Sequence, residues 1–299
     1  MTTPAMMNST CIDDLSRLDA MLAQEATVKF FKHFKSTNAS GINKAWRNAM
    51  ITWIRQVQKT LLLSPDTVWL AMSFFDRYLR SGRGKSSLVL KDKLEFQLAA
   101  VTTFYTAVKI HEPVVLGVDV LVMLCRGIHT EADIVNMEMD ILTALEWRVS
   151  CPNGMDFARA VCDLIRDDDD VPSYIADDIL ESCEKHMENA VADINFWCCK
   201  PSVLGISCVV SALAGSDVLT PEESQAIWAR LHALCNFDLS STDIAAAQQY
   251  LLSQASHCES SIILHGDNKS LSSESADISY NVEVGSLSPI SVVQSARTA

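Results

Sequence analysis

Residues 94–111 are apolar on nearly every side of the helix that their spacing predicts. A helix that is hydrophobic all round has no face for water and therefore lies in the middle of a bundle. A second stretch, Pro201 to Ala214, has the same character. The sequence lacks runs of alternating apolar and polar residues bounded by hairpin turns, which are typical of strands. We therefore predict an all-α protein with two helical sets, each packed around a buried central helix.

Two amphipathic helices and the stop between them precede the first central helix. Apolar residues recur at the spacing that gathers them on one face of each helix. The first face collects Trp46, Met50, Trp53, Ile54 and Val57, and the second collects Val68, Ala71, Met72, Phe75, Tyr78 and Leu79. Ser64, Pro65 and Asp66 are a typical helix start, with a capping hydroxyl, a proline at the first helical position and an early acid. Because the connection is short, the two helices must pack side by side.

These residues resemble the opening of a cyclin box, the helical domain by which cyclins hold and activate cyclin-dependent kinases. The matching positions are Arg47, Trp53 and residues 63–65, 70–71, 75–79, 96–98, 107–109, 137–138 and 145–147. The resemblance covers residues 20–150 well, and residues 200–202 resemble the second cyclin fold more weakly. It implies two tandem five-helix cyclin-fold domains with buried central helices, an N-terminal helix before them and a disordered tail after them.

The order of the segments predicts four regions. These are a disordered N-terminus (1–14), an N-terminal cyclin box with a preceding helix near 15–34 (15–150), a C-terminal cyclin fold (151–256) and a disordered serine-rich tail (257–299). The second set is predicted to contain helices over 155–165, 174–195, 201–214, 221–234 and 241–256. The last 41 residues hold eleven serines, and such a segment cannot bury enough apolar surface to offset its chain entropy. Within it, Ser288 before Pro289 is a candidate proline-directed phosphorylation site.

Charge and composition narrow the classes of partner. The net charge of −13 argues against nucleic acid, because neutralising phosphates requires clustered Lys and Arg. Residues 27–112 nevertheless carry fourteen Lys or Arg against five Asp or Glu. This basic region indicates either a protein partner with an acidic face or an ordinary solvated surface. Nothing in the sequence implies self-association into a homo-oligomer.

Neither a membrane anchor nor a cofactor is predicted. The longest uncharged run, between Lys200 and Asp217, is shorter than the roughly 18 to 20 apolar residues of a membrane span. The first twenty residues resemble no signal or transit peptide, so we expect the protein in the nucleus and cytoplasm. The ten cysteines are scattered without a Cys-x-x-Cys pair and are expected to be small core residues, with no metal site.

Two charged residues fall among apolar ones at the end of the box. Glu138 lies within the apolar stripe of its predicted helix, where an ionised carboxylate needs a partner. Lys109 lies at the end of the first central helix. In cyclins a Lys and a Glu at these positions lie at the kinase interface, so the resemblance implies kinase-binding roles for Lys109 and Glu138, with Ile110 and Glu112 beside Lys109. The alternative is an ordinary ion pair within the chain.

The resemblance also implies a structural ion pair and a substrate-docking patch. In the family, the residues corresponding to Arg47 and Asp76 pair inside the box. The docking patch maps onto Trp46, Ala49, Met50, Trp53, Gln56, Phe96 and Gln97. Of these, only Trp46 and the side of Gln97 are expected at the surface. Trp46 replaces a slimmer residue and Gln56 replaces an acid, which weakens the prediction that basic substrate motifs dock here.

The leading interpretation is a non-enzymatic regulatory subunit that binds and activates a cyclin-dependent kinase in cell-cycle control, with that kinase's protein substrates as further partners. Thr52 and residues 109–112 resemble the D-type pattern and favour a role at the G1/S transition. One alternative is a cyclin-fold transcription adaptor, which would require a basic DNA-facing surface. Another is an enzyme with a Cys/His nucleophile. For that enzyme the sequence offers only the isolated histidines His33, His111, His129 and His186.

Overall fold

The computed structural model describes residues 9–28, 44–167, 171–197, 199–235 and 241–263 of the chain. The regular structure in these ranges is helical, as predicted. The helices are α1 (Ser9–Ala26), α2 (Lys44–Thr60), α3 (Pro65–Ser81), α4 (Ser86–Val89), α5 (Lys93–His111), α6 (Val118–Leu124), α7 (Glu131–Ala144), α8 (Gly154–Arg166), α9 (Ser173–Ala192), α10 (Pro201–Ala214), α11 (Pro221–Leu234) and α12 (Thr242–Ile263). In the described part of the chain, no helix has both the length and the apolar character needed to cross a bilayer.

The first helical set packs around α5, which contacts α2, α3, α4 and α7. Ala99, Ala100 and Val101 in its middle are fully buried. Thr103, buried in this helix, donates its hydroxyl hydrogen to the carbonyl oxygen of Ala100 at 2.9 Å, whereas the buried hydroxyl of Thr102 has no hydrogen-bond partner in the described part of the chain. Local pairing of the kind that Thr103 makes lets a buried helix carry a hydroxyl group.

The helix boundaries follow the signals in the sequence. At the start of α3, the Ser64 hydroxyl accepts a hydrogen bond from the Asp66 amide at 3.2 Å, and Pro65 opens the helix. The helix ends at Gly82, whose φ of 63° lies in the left-handed region that glycine tolerates. Thr130, followed three residues later by Asp133, predicts a capping box at the start of α7, and the two residues form it.

The second helical set packs around α10, which contacts α8, α9, α11 and α12. Gly205 allows α10 to approach α8 closely. A Cβ atom at this position would lie 2.2 Å from the carbonyl oxygen of Gly154 and 2.8 Å from the Cβ of Phe157. Both central helices are therefore covered on their long sides, as their apolar sequences predicted.

The first helix differs from its prediction in both extent and location. It runs from Ser9 to Ala26 rather than over 15–34, so residues 9–14, predicted to be disordered, are helical. Its apolar residues Cys11, Leu15, Leu18 and Leu22 recur at helical spacing and join the core of the second set. This packing explains the earlier start, because the stripe begins at Cys11. The helix therefore precedes the first set in sequence but packs on α8 and α10 of the second.

Smaller differences occur at three other boundaries. Residues 81–87 are rich in glycine and serine, which predicts a turn, but α4 begins at the end of this segment. α9 ends at Ala192 and is followed by a short 3-10 turn over Ile194–Phe196, and α12 extends to Ile263. Residues 257–263, predicted as the start of the tail, are thus helical. Residues 264–299, with Ser288, lie outside the described part of the chain, as does the segment predicted to complete the first helix.

Candidate functional site

Lys109 and Glu138 form an ion pair that joins α5 to α7. The Nζ atom of Lys109 lies 2.9 Å and 3.0 Å from the two carboxylate oxygens of Glu138. The Thr106 hydroxyl donates a further hydrogen bond to the same carboxylate at 3.1 Å. Lys109 also lies over the ring of Tyr105, 5.0 Å from its centroid. The carboxylate that the sequence placed in an apolar stripe is therefore fully partnered within the chain.

Exposed apolar side chains lie near this pair along α5 and α7. Val135, one turn before Glu138, is 51% exposed, and Met139, the residue after it, is 55% exposed. On the α5 side, Ile110 is 47% exposed, and Val115 in the following loop is 95% exposed. We call these residues, together with Lys109, Glu138 and Val114, the α5–α7 face. A cluster of exposed apolar residues near a charged pair is typical of an interaction surface.

Glu112 is engaged inside the chain. Its carboxylate accepts hydrogen bonds from the Ser64 amide, at 2.8 Å, and from the Thr67 hydroxyl. These contacts tie the end of α5 to the start of α3, where the helix dipole favours a negative charge. Glu112 is therefore a connector between two helices, and its predicted contact with a partner stays a prediction.

Arg47 and Asp76 form the ion pair that the resemblance implied. Both terminal nitrogens of Arg47 donate to the carboxylate of Asp76, one of them at 3.0 Å, and the side chain of Arg47 is 1% exposed. The same guanidinium donates to the carbonyl oxygen of Val191 in α9 at 3.1 Å. The pair thus connects α2, α3 and α9, which is a structural role.

The residues of the implied docking patch lie mostly in the core. Ala49, Met50, Trp53 and Phe96 are buried. Gln97, expected on the surface, is 4% exposed, because α2, α3 and α4 cover that end of α5. This part of the prediction is wrong. Trp46 is half-buried with its ring centroid 5.8 Å from that of Phe96, and Gln56 is exposed, so Trp46 and Gln56 form the accessible part of the patch.

The histidines and cysteines do not assemble into a reactive site in the described ranges. Burial raises the pKa of the Cys125 thiol to about 12 and that of Cys235 to about 11, which keeps these thiols protonated and unreactive at neutral pH. Burial lowers the pKa of His129 and His186. His111 lies 3.9 Å from Asp66, and His33 is outside the described residues. Among the described residues, no group of three or more His, Cys, Asp or Glu is placed to hold a metal ion.

Comparison with known proteins identifies the first helical set. The sequence model of the cyclin N-terminal domain matches residues 17–150. This part of the chain is a cyclin box. Its relatives include the G2/mitotic-specific cyclin-B3 of Canis lupus familiaris, which is 29% identical over 136 residues, and the putative cyclin-A3-1 of Arabidopsis thaliana, which is 31% identical over 122 residues. These matches cover 46% and 41% of this chain but 10% and 32% of the relatives' lengths.

The fold likeness extends beyond the first cyclin box. The solved structure of a viral cyclin from herpesvirus saimiri aligns with a TM-score of 0.59 at 18% sequence identity. The alignment covers 80% of this chain and 96% of the viral protein, so it includes helices of the second set as well. The tandem all-α arrangement predicted from the two central helices is therefore confirmed at the level of the fold.

Proposed function

We propose that this cyclin-box protein is the regulatory subunit of a cyclin-dependent serine/threonine kinase and activates that kinase in cell-cycle control. The observation that carries the proposal is the α5–α7 face, a charged pair near exposed apolar side chains on a cyclin box. The G2/mitotic-specific name of one relative, cyclin-B3, supports it. The protein would contribute binding energy that favours the kinase's active arrangement and no catalytic group.

The α5–α7 face has the composition of an interface centre. Its apolar residues lose water on docking and supply the affinity. Lys109, 44% exposed, and Glu138, 13% exposed, are already held by each other, so little side-chain entropy remains to be lost when a partner covers them. Charged groups in this setting select a partner with complementary charge.

The finer assignments are also proposals. Thr52 and residues 109–112 favour a G1/S role, whereas one named relative, cyclin-B3, is described as G2/mitotic-specific, so the phase is tested by identifying the kinase. We propose the nucleus and cytoplasm as the location of the protein. Its kinase's substrates would dock at Trp46 and Gln56, the exposed part of the patch.

The test is activation of purified cyclin-dependent kinases by the purified chain, measured as phosphate transfer to a protein substrate. Lys109→Glu places two acids together at the face and should reduce activation by about tenfold or more, the effect of losing an interface hot spot. The exchange Lys109→Glu with Glu138→Lys re-forms the pair within the chain but presents reversed charges to the kinase. Activation should therefore stay low in the exchanged protein.

A matched control comes from the exposed pair of Lys185 and Glu181 on α9, which are 2.8 Å apart. Lys185→Glu makes the same charge change away from the face and should leave activation unchanged. Failure of the unaltered chain to activate any kinase in the panel would contradict the proposal. Full recovery in the exchanged protein would show instead that Lys109 and Glu138 act only within the chain. Salt-dependent binding of DNA would favour the transcription-adaptor alternative.

A further inference from the structure

Four arginines converge on one cleft on the side of the molecule where α1 ends. The cleft has a volume of about 230 Å³ and is formed by the end of α3, the end of α7 and the segment after each. Its charged lining consists of Arg77, Arg80, Arg83, Arg148 and Glu146. We call it the arginine cleft. Its net charge is strongly positive although the whole chain has a net charge of −13.

Arg77 is the buried base of the arginine cleft. Its residue surface is 8% exposed, and its Nη2 atom donates to the carbonyl oxygen of Arg148 at 2.7 Å. Its Nε and Nη1 atoms are buried and have no hydrogen-bond acceptor in the described part of the chain. A buried charged donor without an acceptor is costly. Arg77 is therefore a charged residue at the wall of the cleft whose hydrogen-bonding capacity the described part of the chain does not fill.

Glu146 occupies part of the arginine cleft in the way that an anion would. Its carboxylate pairs with Arg83 and lies 3.6 Å from the Nη2 atom of Arg148. Glu146 and the next residue, Trp147, have φ values of 55° and 57°, a left-handed conformation that is unfavourable for residues other than glycine. The backbone therefore holds a carboxylate between two arginines at some conformational cost. The lining of the cleft thus contains one carboxylate and four guanidinium groups.

Two hydroxyl groups also line the arginine cleft, but their hydrogens are already donated to the carbonyl oxygens of Gln24 and Tyr78. Thr27, directly after α1, accepts a hydrogen bond from the Nη1 atom of Arg148 at 3.1 Å, and Ser81 is also in the lining. The guanidinium groups are therefore the donors available to an anion. Planar guanidinium groups match the oxygens of phosphate in pairs, and they outperform lysine wherever such paired recognition matters. A phosphate monoester carries nearly two negative charges at neutral pH and three acceptor oxygens, which fits several converging arginines better than a single carboxylate does.

We propose that the arginine cleft binds the phosphoryl group of a phosphorylated serine or threonine. Such a group could be carried by the chain's own Ser288 or by another protein, and the recognition chemistry is the same in both cases. The inference rests on the cleft alone and does not depend on the proposed kinase partner.

The test is calorimetric titration of the full chain with four probes. These are a peptide of residues 283–295 phosphorylated at Ser288, the same peptide unphosphorylated, an unrelated phosphoserine peptide and inorganic phosphate. Both phosphopeptides should bind, the unphosphorylated peptide should not, and binding should weaken as the pH falls below about 6, where phosphate gains a proton. Stronger binding of the Ser288 peptide than of the unrelated one would identify the tail as the source, and equal binding would point to another protein.

Variants of the cleft residues distinguish a loss of phosphate recognition from a loss of folded protein. Arg77→Gln should weaken phosphopeptide binding by about tenfold or more. Because Arg77 is buried, its replacement can also destabilise the fold. Two exposed residues of the cleft, Glu146 and Arg148, therefore provide a second test of binding. Arg148→Gln should weaken binding several-fold, whereas Glu146→Gln should strengthen it by releasing two arginines from their carboxylate.

A loss of folded protein cannot produce a gain in affinity, so the Glu146→Gln result is decisive. Arg126→Gln, at an exposed turn after α6, makes the same charge change as Arg77→Gln and should leave binding unchanged. The proposal is overturned if the unaltered chain binds the phosphopeptides no more tightly than the unphosphorylated peptide. It is also overturned if neither Glu146→Gln nor Arg148→Gln changes the affinity.

Discussion

Arg47 donates three hydrogen bonds, although almost none of its surface is exposed to water. Two of these bonds go to Asp76 and the third goes to the carbonyl oxygen of Val191. A desolvated guanidinium in such a place depends on every acceptor, because removing one partner leaves an uncompensated charge or an unfilled space. Arg47 is therefore one of the residues on which the contact between the two helical sets depends.

Replacing Arg47 should be among the most destabilising single changes in the protein. Arg47→Ala leaves the Asp76 carboxylate without its partner and should lower the free energy of unfolding by about 3 to 5 kcal/mol, measured by urea denaturation. The control is Arg17→Ala, which breaks the more exposed pair of Arg17 and Asp163, 3.2 Å apart, and should cost less than about 1 kcal/mol. Equal effects of the two changes would contradict the structural role assigned to Arg47.

Individual side chains were predicted well where the family pattern constrains them. The pairing of Arg47 with Asp76, and the presence of a partner for Glu138, follow from the sequence and the resemblance. Contacts between residues that are far apart in the chain could not be predicted from the sequence or the resemblance. Glu112 reaches the Ser64 amide, and no local pattern links those positions. The arginine cleft was missed for the same reason, because Arg77 and Arg148 look like ordinary charged residues until folding brings them together.

At the scale of helices, α10 begins without a capping side chain of its own. Lys200 at its N-cap offers no side-chain acceptor, and a helix start buried without acceptors is unfavourable. Glu25 of α1 supplies the missing acceptor. Its carboxylate accepts hydrogen bonds from the Ser202 amide at 2.7 Å and from the Ser202 hydroxyl at 2.6 Å. Burial raises the pKa of Glu25, and the helix dipole compensates its charge.

Removing this cap should loosen both helices. Glu25→Ala leaves the Ser202 amide unsatisfied and should lower the free energy of unfolding by about 1 to 3 kcal/mol, with faster proteolytic cleavage within α1. Glu25→Gln keeps an oxygen acceptor and should retain much of the stability. If alanine and glutamine variants are as resistant to protease as the unaltered chain, Glu25 does not hold α1 in place.

Most helices were predicted because their caps and apolar stripes are local signals. Ser64 to Asp66 defined the start of α3, and Thr130 defined that of α7. The position of α1 could not be predicted, because an apolar stripe shows that a helix is covered and not which helix covers it. The prediction of a turn where α4 forms failed because the segment is rich in glycine and serine, and this short helix is stabilised by its packing on α3 and α5.

For the whole molecule, polar contacts join two separate hydrophobic cores. One core lies in α2–α7, and the other lies mainly in α1 and α8–α12. Arg55 of α2 donates to the carbonyl oxygen of Glu188 in α9, and Arg159 of α8 lies 2.6 Å from Asp66 of α3. These contacts add to that of Arg47 with Val191. A substitution that destabilises one core is therefore expected to destabilise the other.

The stability of the molecule should fall in mild acid. Burial lowers the pKa of His129 in the first set and of His186 in the second. The unfolded chain therefore takes up protons first as the pH falls through the ordinary histidine value of about 6.5. Each histidine should remove at most about 1.4 kcal/mol per pH unit between about pH 6.5 and its folded-state pKa.

Denaturation at a series of pH values from 7.5 to about 5.5 measures this slope. The variant with His129→Gln and His186→Gln is the reference, because the raised pKa of Glu25 opposes the effect in both proteins alike. The unaltered chain should lose stability more steeply than the variant as the pH falls. Parallel curves would show that the two histidines titrate normally in the folded protein.

The location of α1 decides how the chain can be divided for experiments. A fragment of residues 151–263 contains α8 to α12 but lacks the helix in which Leu18, 2% exposed, completes their core. Such a fragment presents an open apolar groove and is expected to aggregate, whereas a peptide of residues 9–26 added in trans should fill the groove. The first helix and the second helical set would then behave as the two halves of a split protein, although a whole cyclin box separates them along the sequence.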